Sequence, residues 1–185
     1  MNYPIYFDSK KSSHLFELND RFDFLKDLYI KNKLPNVLML SGQKGLGKST
    51  LINHLLFYIF DKNNYDVKNY NFDNKSSFYN QFLSNIFSNI IYLSGSDFKN
   101  IKIEDIRNLK SKILKTTILN KPRFIIFDDV EVFNNNSLNA LLKILEEPSI
   151  NNYFVLINNL SNPLIDTIKS RCLEIKIILN EKKRQ

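Results

Sequence analysis

The chain has 185 residues, 43% of them apolar, which is enough for one domain with a proper core, and no run approaches the roughly 20 apolar residues of a membrane span. A single cysteine, Cys172, excludes an internal disulfide and an all-cysteine zinc site, and Met1-Asn2-Tyr3-Pro4 lacks the basic-then-apolar layout of a signal peptide. A cytoplasmic setting with no membrane partner is therefore expected, and the formal charge of +7 favours polyanionic partners without naming one.

Taken in order, the first element is an amphipathic helix expected from Leu15 to Ile30. Pro35 breaks the chain before a core strand, Asn36 to Ser41, and a second helix is expected from Thr50 to Phe60. The stretch 61–89 is polar, aromatic and asparagine-rich and reads as an irregular or helical insertion. Ile90-Ile91-Tyr92-Leu93 is the second strand, ending at Ser94-Gly95. A helix from about Glu104 to Lys115 follows, with two acids in its first turn and Ile106, Leu109 and Ile113 on its buried face.

Pro122 precedes the third strand, Phe124 to Phe127, which runs into Asp128-Asp129. Leu138, Leu141, Leu142 and Leu145 recur at helical spacing and stop at Pro148. Phe154 to Ile157 is the fourth strand, ending in Asn158-Asn159. A short helix near Pro163 to Lys169 leads to Arg171, and Leu173 to Ile178 is the fifth strand. Apolar runs alternating with helices predict an α/β, three-layer domain with a five-stranded parallel sheet. The two histidines, His14 and His54, read as packing or surface residues.

Only four glycines occur, and three fall in Gly42-Gln43-Lys44-Gly45-Leu46-Gly47-Lys48-Ser49. This is the phosphate-loop pattern G-x-x-x-x-G-K-[ST], in its required setting between a strand and a helix. Glycine removes Cβ where backbone must turn tightly, so successive N–H groups can face phosphate oxygens. Gly42 to Thr50 are the expected nucleotide-binding residues. Lys48 reaches the β- and γ-phosphates, Ser49 ligates Mg²⁺, and the helix that follows presents its positive end to the anion.

Ligands of parallel α/β sheets sit beyond the carboxyl ends of the strands. Asp128, ending the third strand, is the expected second Mg²⁺ ligand. Asp129 is placed to orient or deprotonate an attacking water. Asn158, ending the fourth strand, is placed to fix that water or sense the γ-phosphate, with Asn159 as a competing candidate.

Ser137-Leu138-Asn139-Ala140-Leu141-Leu142-Lys143-Ile144-Leu145-Glu146-Glu147-Pro148 resembles the L-N-A-L-L-K-x-L-E-E-P helix of bacterial clamp-loader subunits. Ser170-Arg171-Cys172 matches the S-R-C motif of that family, and Ile103 to Leu109 is similar to its I-x-x-I-R-x-L segment. The resemblance runs from about Leu34 to Ile177 and is to the AAA+ domain of DNA polymerase III clamp-loader subunits, most like delta prime, with gamma/tau next. It implies an ATP- and Mg²⁺-binding subunit of a hetero-oligomeric ring that places a sliding clamp on primed DNA. It also implies that Arg171 acts in trans, as an arginine finger on ATP held by a neighbouring subunit, where a guanidinium can neutralise charge developing on the γ-phosphoryl group.

Three departures modify these expectations. The family often carries a zinc-binding cysteine cluster after the loop helix, whereas 61–89 holds no cysteine, so no zinc is expected. Asp129 stands where active members usually have Glu, about 1.5 Å shorter in reach, which makes hydrolysis at the chain's own site doubtful. The expected layout is an N-terminal segment (1–34), a P-loop domain (35–180) and a basic tail (181–185), without the helical lid and collar that normally follow. A free-standing P-loop kinase or other NTPase is the alternative class, although the arginine-bearing lid and acceptor site of a kinase are not evident in the chain. A guanine-specific enzyme lacks its N-K-x-D segment.

Overall fold

The computed structural model describes residues 12–95, 108, 109, 113, 121–148 and 151–178. Within them the chain forms α1 (Asn19–Ile30), β1 (Val37–Ser41), α2 (Lys48–Phe60), β2 (Tyr65–Asp66), β3 (Asn71–Phe72), α3 (Ser77–Leu83), β4 (Ile90–Ser94), β5 (Arg123–Asp128), α4 (Asn135–Glu146), β6 (Asn152–Asn158), α5 (Asp166–Lys169) and β7 (Leu173–Lys176). Single 3₁₀ turns occupy Lys62–Asn64 and Val130–Val132. The tail at 181–185 and most of the expected 104–115 helix lie outside the described residues, but Asn108, Leu109 and Ile113 are helical.

The described residues divide into two compact units, one of 35–44 with 88–178 and one of 12–34 with 45–87. The first unit is an α/β sheet domain. Its five strands are rich in β-branched and aromatic residues, suited to a pleated buried surface, and lie in the order β4-β5-β6-β1-β7 with every pairing parallel. The five-stranded parallel sheet expected from the apolar runs is therefore present. β1 and β5 are buried along their whole length, the pattern of strands covered on both faces.

On one face, Met39, Ile125, Phe127, Phe154 and Leu156 pack with Leu138, Leu141, Ile144 and Leu145 of α4, and Leu109 and Ile113 join the same core. Each such large side chain contributes about 1.5–3 kcal/mol on burial. The buried stripe of α4 differs slightly from expectation, because Leu142 sits half-buried at its edge and Ile144 closes it on the other side. Asn134 caps the helix, its side-chain oxygen accepting the Ser137 N–H at 2.9 Å.

The second unit is built on α2, in which nearly every residue from Lys48 to Ile59 is buried. The first helix is shorter than expected, because Glu17 takes a left-handed conformation (φ 53°) and prevents helix from forming across Leu15–Leu18. Leu15 and Leu18 are nonetheless buried. Their apolar spacing mimics a helical turn.

The insertion at 61–89 is helical in part, one of the two expected alternatives, and carries a strand pair besides. It forms the antiparallel pair β2–β3 and the helix α3, which Ser76 caps by accepting the Tyr79 N–H at 3.0 Å. The turn between the strands is held by Asp66, whose Oδ1 accepts the N–H groups of Lys68 and Asn69 at 2.9 and 3.2 Å. Phe72 stacks on Phe57 with ring centroids 3.9 Å apart, and Phe78 and Phe82 pack edge-on against the same ring. This insertion owes its order to aromatic packing. No helix of the described residues is long and apolar enough to cross a membrane.

Candidate nucleotide-binding site

The carboxyl ends of β1, β6 and β5 lie side by side in the sheet unit, because β6 separates the other two. Ser41 is the partner of Asn158, and Ser94 of β4 is the partner of Asp128. Gly42 leaves β1 with its N–H donating to the Asn158 carbonyl at 3.2 Å. The start of the glycine loop is thus pinned to the strand that carries the asparagine pair.

Asp128 ends β5 and is 6% exposed. Its Oδ2 accepts from the Tyr92 hydroxyl on the adjacent strand, and its Oδ1 accepts the Asp129 N–H at 2.9 Å. Tyr92 was not expected to bear on the site. Its role depends on β4 and β5 being neighbours, which a single sequence does not display.

Asp129 leaves the strand in a left-handed conformation (φ 52°), a turn that Asp tolerates better than most residues. Its Oδ1 accepts from Asn159 Nδ2 at 2.5 Å and lies 3.8 Å from Lys44 Nζ. Lys44 is mostly exposed, so that ion pair contributes little energy, but it brings a glycine-loop residue to the acidic turn.

Asn158 is buried and its side-chain oxygen accepts the Leu160 N–H at 3.0 Å, closing the turn that follows β6. Of the two adjacent asparagines, Asn159 is the one that touches Asp129.

Gly95, outside the glycine loop, also bears on the acidic turn. Its N–H donates to the Asp128 carbonyl at 2.9 Å. A Cβ added there would stand 2.7 Å from the Asp129 carbonyl oxygen and 2.4 Å from Val132 Cγ2. The fourth glycine lets β4 close against the acidic turn. Its rarity in this chain was the available signal.

In the other unit, Gly45 and Gly47 adopt φ of 87° and 76°, in the region that side chains disfavour. Nothing lies within 4 Å of a Cβ placed on Gly45. Gly47 is the N-cap of α2, Lys48 and Ser49 occupy its first turn, and Leu51 N–H returns to Gly47 O at 2.8 Å. A helix start without a capping side chain is a natural anion site. Lys48 is 3% exposed, and a buried ammonium is stable only beside compensating negative charge or hydrogen-bond acceptors. Thr50 Oγ1 donates to Ser12 Oγ at 2.9 Å, so this member of the expected binding set is tied to the segment preceding α1.

Taken unit by unit, the Asp128 carboxylate and the start of α2 are each chemically suited to a nucleotide with Mg²⁺. Mg²⁺ takes few protein ligands and completes its shell with water and phosphate oxygens, so it asks little of the protein beyond a carboxylate such as that of Asp128. Among the described residues no group of three or more His, Cys, Asp and Glu is gathered as a metal site.

Arg171 sits elsewhere. Leu173, which opens β7, is the partner of Leu38 near the start of β1. Arg171 is therefore at the amino edge of the sheet, whereas Asp128 is at the carboxyl edge. From Leu38 to Ser41 alone the separation is about 10 Å, at 3.3 Å per residue. Its Nη1 donates to the Thr167 carbonyl at 2.8 Å and its Nη2 to Glu146 Oε1 at 2.6 Å. The neighbouring Cys172 thiol is pushed up to about 11 by burial and by Glu174, and donates to the Ile168 carbonyl at 3.1 Å.

His54 belongs to the second unit and is fully buried. Its Nε2 lies 3.1 Å from the Ser13 carbonyl and so carries the proton, leaving Nδ1 to accept from the Tyr65 hydroxyl at 2.9 Å. Burial lowers its pKa to about 4 from 6.5 and raises that of Tyr65. It is a neutral packing residue.

Comparison with known proteins agrees with this architecture. The chain is 27% identical over 146 residues to DNA polymerase III subunit delta' of Buchnera aphidicola subsp. Baizongia pistaciae, covering 77% of this chain and 44% of that protein. It is 27% identical over 160 residues to DNA polymerase III subunit gamma of Buchnera aphidicola subsp. Acyrthosiphon pisum, covering 82% and 41%. The chain thus spans less than half the length of these relatives.

Among solved structures, a DNA polymerase III gamma subunit-related protein of Thermotoga maritima superposes with TM-score 0.63 at 22% identity, over 88% of this chain and 47% of that one. The Thermotoga maritima RuvB Holliday junction branch migration motor gives 0.52 at 17% identity, over 92% and 46%. At such identities these structures establish the P-loop fold of the AAA+ type and no more. A family model described as DNA polymerase III, delta subunit, matches residues 18–180, nearly nine-tenths of the chain, and the chain belongs to that family.

Proposed function

We propose that this chain is the AAA+ domain of a delta-prime-like clamp-loader subunit that binds ATP with Mg²⁺ and works in a hetero-oligomeric ring to place a sliding clamp on primed DNA in the cytoplasm. Gly42 to Thr50 hold the nucleotide, with Lys48 on its β- and γ-phosphates, and Ser49 and Asp128 are the protein ligands of Mg²⁺. The metal supplies charge neutralisation on the phosphates. The observation that carries this reading is the convergence of Gly42, Lys44, Asp128, Asp129 and Asn159 at one edge of a parallel sheet, with Lys44 and Asn159 both on the Asp129 carboxylate.

Own-site hydrolysis is weak in this reading. The Asp129 carboxylate is shorter than the usual Glu, and it is already engaged by an amide and an ammonium. Asn158 then supports the turn after β6, and Asn159 positions the acid.

Arg171 acts on a neighbouring subunit. Its place at the amino edge of the sheet supports that role, because Asp128 lies at the opposite, carboxyl edge, about 10 Å away along the strand direction alone. The segment 1–34, the P-loop domain 35–180 and the tail 181–185 are the proposed organisation of the chain.

The test is a complex reconstituted with its partner subunits, clamp and primed DNA, carrying Arg171→Ala or Lys48→Ala. Arg171→Ala is expected to lower ATP turnover by at least tenfold at the adjacent site, as loss of a finger does. Lys48→Ala is expected to weaken nucleotide binding at this subunit at least tenfold, with a smaller effect on total turnover. Unchanged turnover with Arg171→Ala contradicts the trans role.

A further inference from the structure

We infer that Glu146 is a positioning residue that latches Arg171, and that the latch must open before the guanidinium can serve a neighbour's triphosphate. This inference rests on the trans role proposed for Arg171. Two segments 25 residues apart meet here: Glu146 is the last residue of α4, and Arg171 lies between α5 and β7.

The guanidinium is bound on both of its terminal nitrogens, Nη1 to the Thr167 carbonyl and Nη2 to Glu146 Oε1. Thr167 belongs to the same short α5 turn and moves with the arginine. Glu146 is therefore what ties Arg171 to a separate element. The contact is short, 2.6 Å, and charge-assisted.

Chemistry makes this contact inhibitory. A finger works by presenting net positive charge to the γ-phosphoryl group, and a carboxylate bonded to it cancels that charge. If the pair moved together toward a triphosphate, the carboxylate would be repelled by the same oxygens that attract the arginine. Glu146 and Arg171 have side chains 49% and 34% exposed, so the pair is a weak surface ion pair that an incoming polyanion can outcompete. The latch sets a low barrier. It does not block the finger permanently.

The experiment is steady-state ATP turnover of the reconstituted complex, without clamp or DNA, with the natural chain and with Glu146→Gln, Glu146→Ala, Arg171→Ala and Arg171→Ala/Glu146→Gln. Glu146→Gln removes the charge and keeps an acceptor oxygen, and the half-exposed position tolerates it. Both single Glu146 variants are expected to raise kcat about two- to fivefold, the scale of a surface pair, with KM unchanged. In the Arg171→Ala background Glu146→Gln is expected to change nothing.

A merely structural role for Glu146 would lower kcat or disturb KM, and either result overturns the latch. An effect of Glu146→Gln that persists without Arg171 overturns it as well. If Arg171→Ala lowers kcat but neither Glu146 variant raises it, the latch fails while the finger reading stands. If Arg171→Ala is without effect, both fall.

Discussion

Gly95 lies so close to Asp129 that a single added carbon would stop 2.7 Å from the Asp129 carbonyl oxygen. The same carbon would meet Val132 Cγ2 at 2.4 Å, so neither the turn nor the 3₁₀ segment after it leaves room. Gly95→Ala is expected to cost about 1–3 kcal/mol of stability, the range for overpacking a tight site. Denaturant unfolding measures it directly. Because the clash falls on the residue whose carboxylate meets Lys44 and Asn159, the variant is also expected to weaken nucleotide binding.

Tyr92 and Asp128 form a second pair whose contribution can be isolated. The hydroxyl donates to a buried carboxylate, and hydrogen bonds to charged groups contribute about 1.5–3 kcal/mol. A double-mutant cycle of Tyr92→Phe and Asp128→Asn is expected to show a coupling energy of about 1 kcal/mol or more. Additive losses would mean that the two side chains do not act together.

His54 makes stability depend on pH. The unfolded imidazole takes its proton near pH 6.5, whereas burial holds the folded one down to about 4. The unfolded chain therefore binds more protons between these values. The contribution of neutral His54 is complete above about pH 6.5 and is lost as pH falls towards 4, at most about 3 kcal/mol on the scale of 1.36 kcal/mol per pH unit. Unfolding free energies across pH 4–7 for the natural chain and His54→Asn should differ in slope, with the variant flatter. Equal slopes would remove His54 from the account.

The aromatic packing of the insertion predicts a local core that tolerates truncation poorly. Phe72 stacks on Phe57, which Phe78 and Phe82 also contact. Phe72→Ala is expected to cost about 3–5 kcal/mol, as large-to-small changes at buried aromatic positions do. A loss below about 1 kcal/mol in thermal or denaturant unfolding would show that β2–β3 is dispensable to the unit.

Much of this architecture was legible in the residues because the signals were local. Five apolar runs bounded by proline, asparagine or glycine became five parallel strands, and three glycines in eight residues marked the loop between β1 and α2. What escaped depends on neighbours or on backbone sign. Tyr92 matters because β4 lies beside β5. Asn158 and Asn159 are indistinguishable by pattern, and their roles divide only once the chain turns at the end of β6. The apolar spacing of Leu15 and Leu18 looks helical until Glu17 adopts a positive φ. The β2–β3 pair is two residues per strand, too short to show an alternating pattern.

The central proposal is that this chain binds ATP with Mg²⁺ and that Lys48 and Asp128 both contribute to that binding. Isothermal calorimetry of ATP binding, with and without Mg²⁺, tests it on the natural chain, Lys48→Ala and Asp128→Asn. The account predicts Mg²⁺-dependent binding by the natural chain, at least tenfold weaker binding with Lys48→Ala, and loss of the Mg²⁺ dependence with Asp128→Asn. Equal affinity in all three proteins, with or without Mg²⁺, would contradict it.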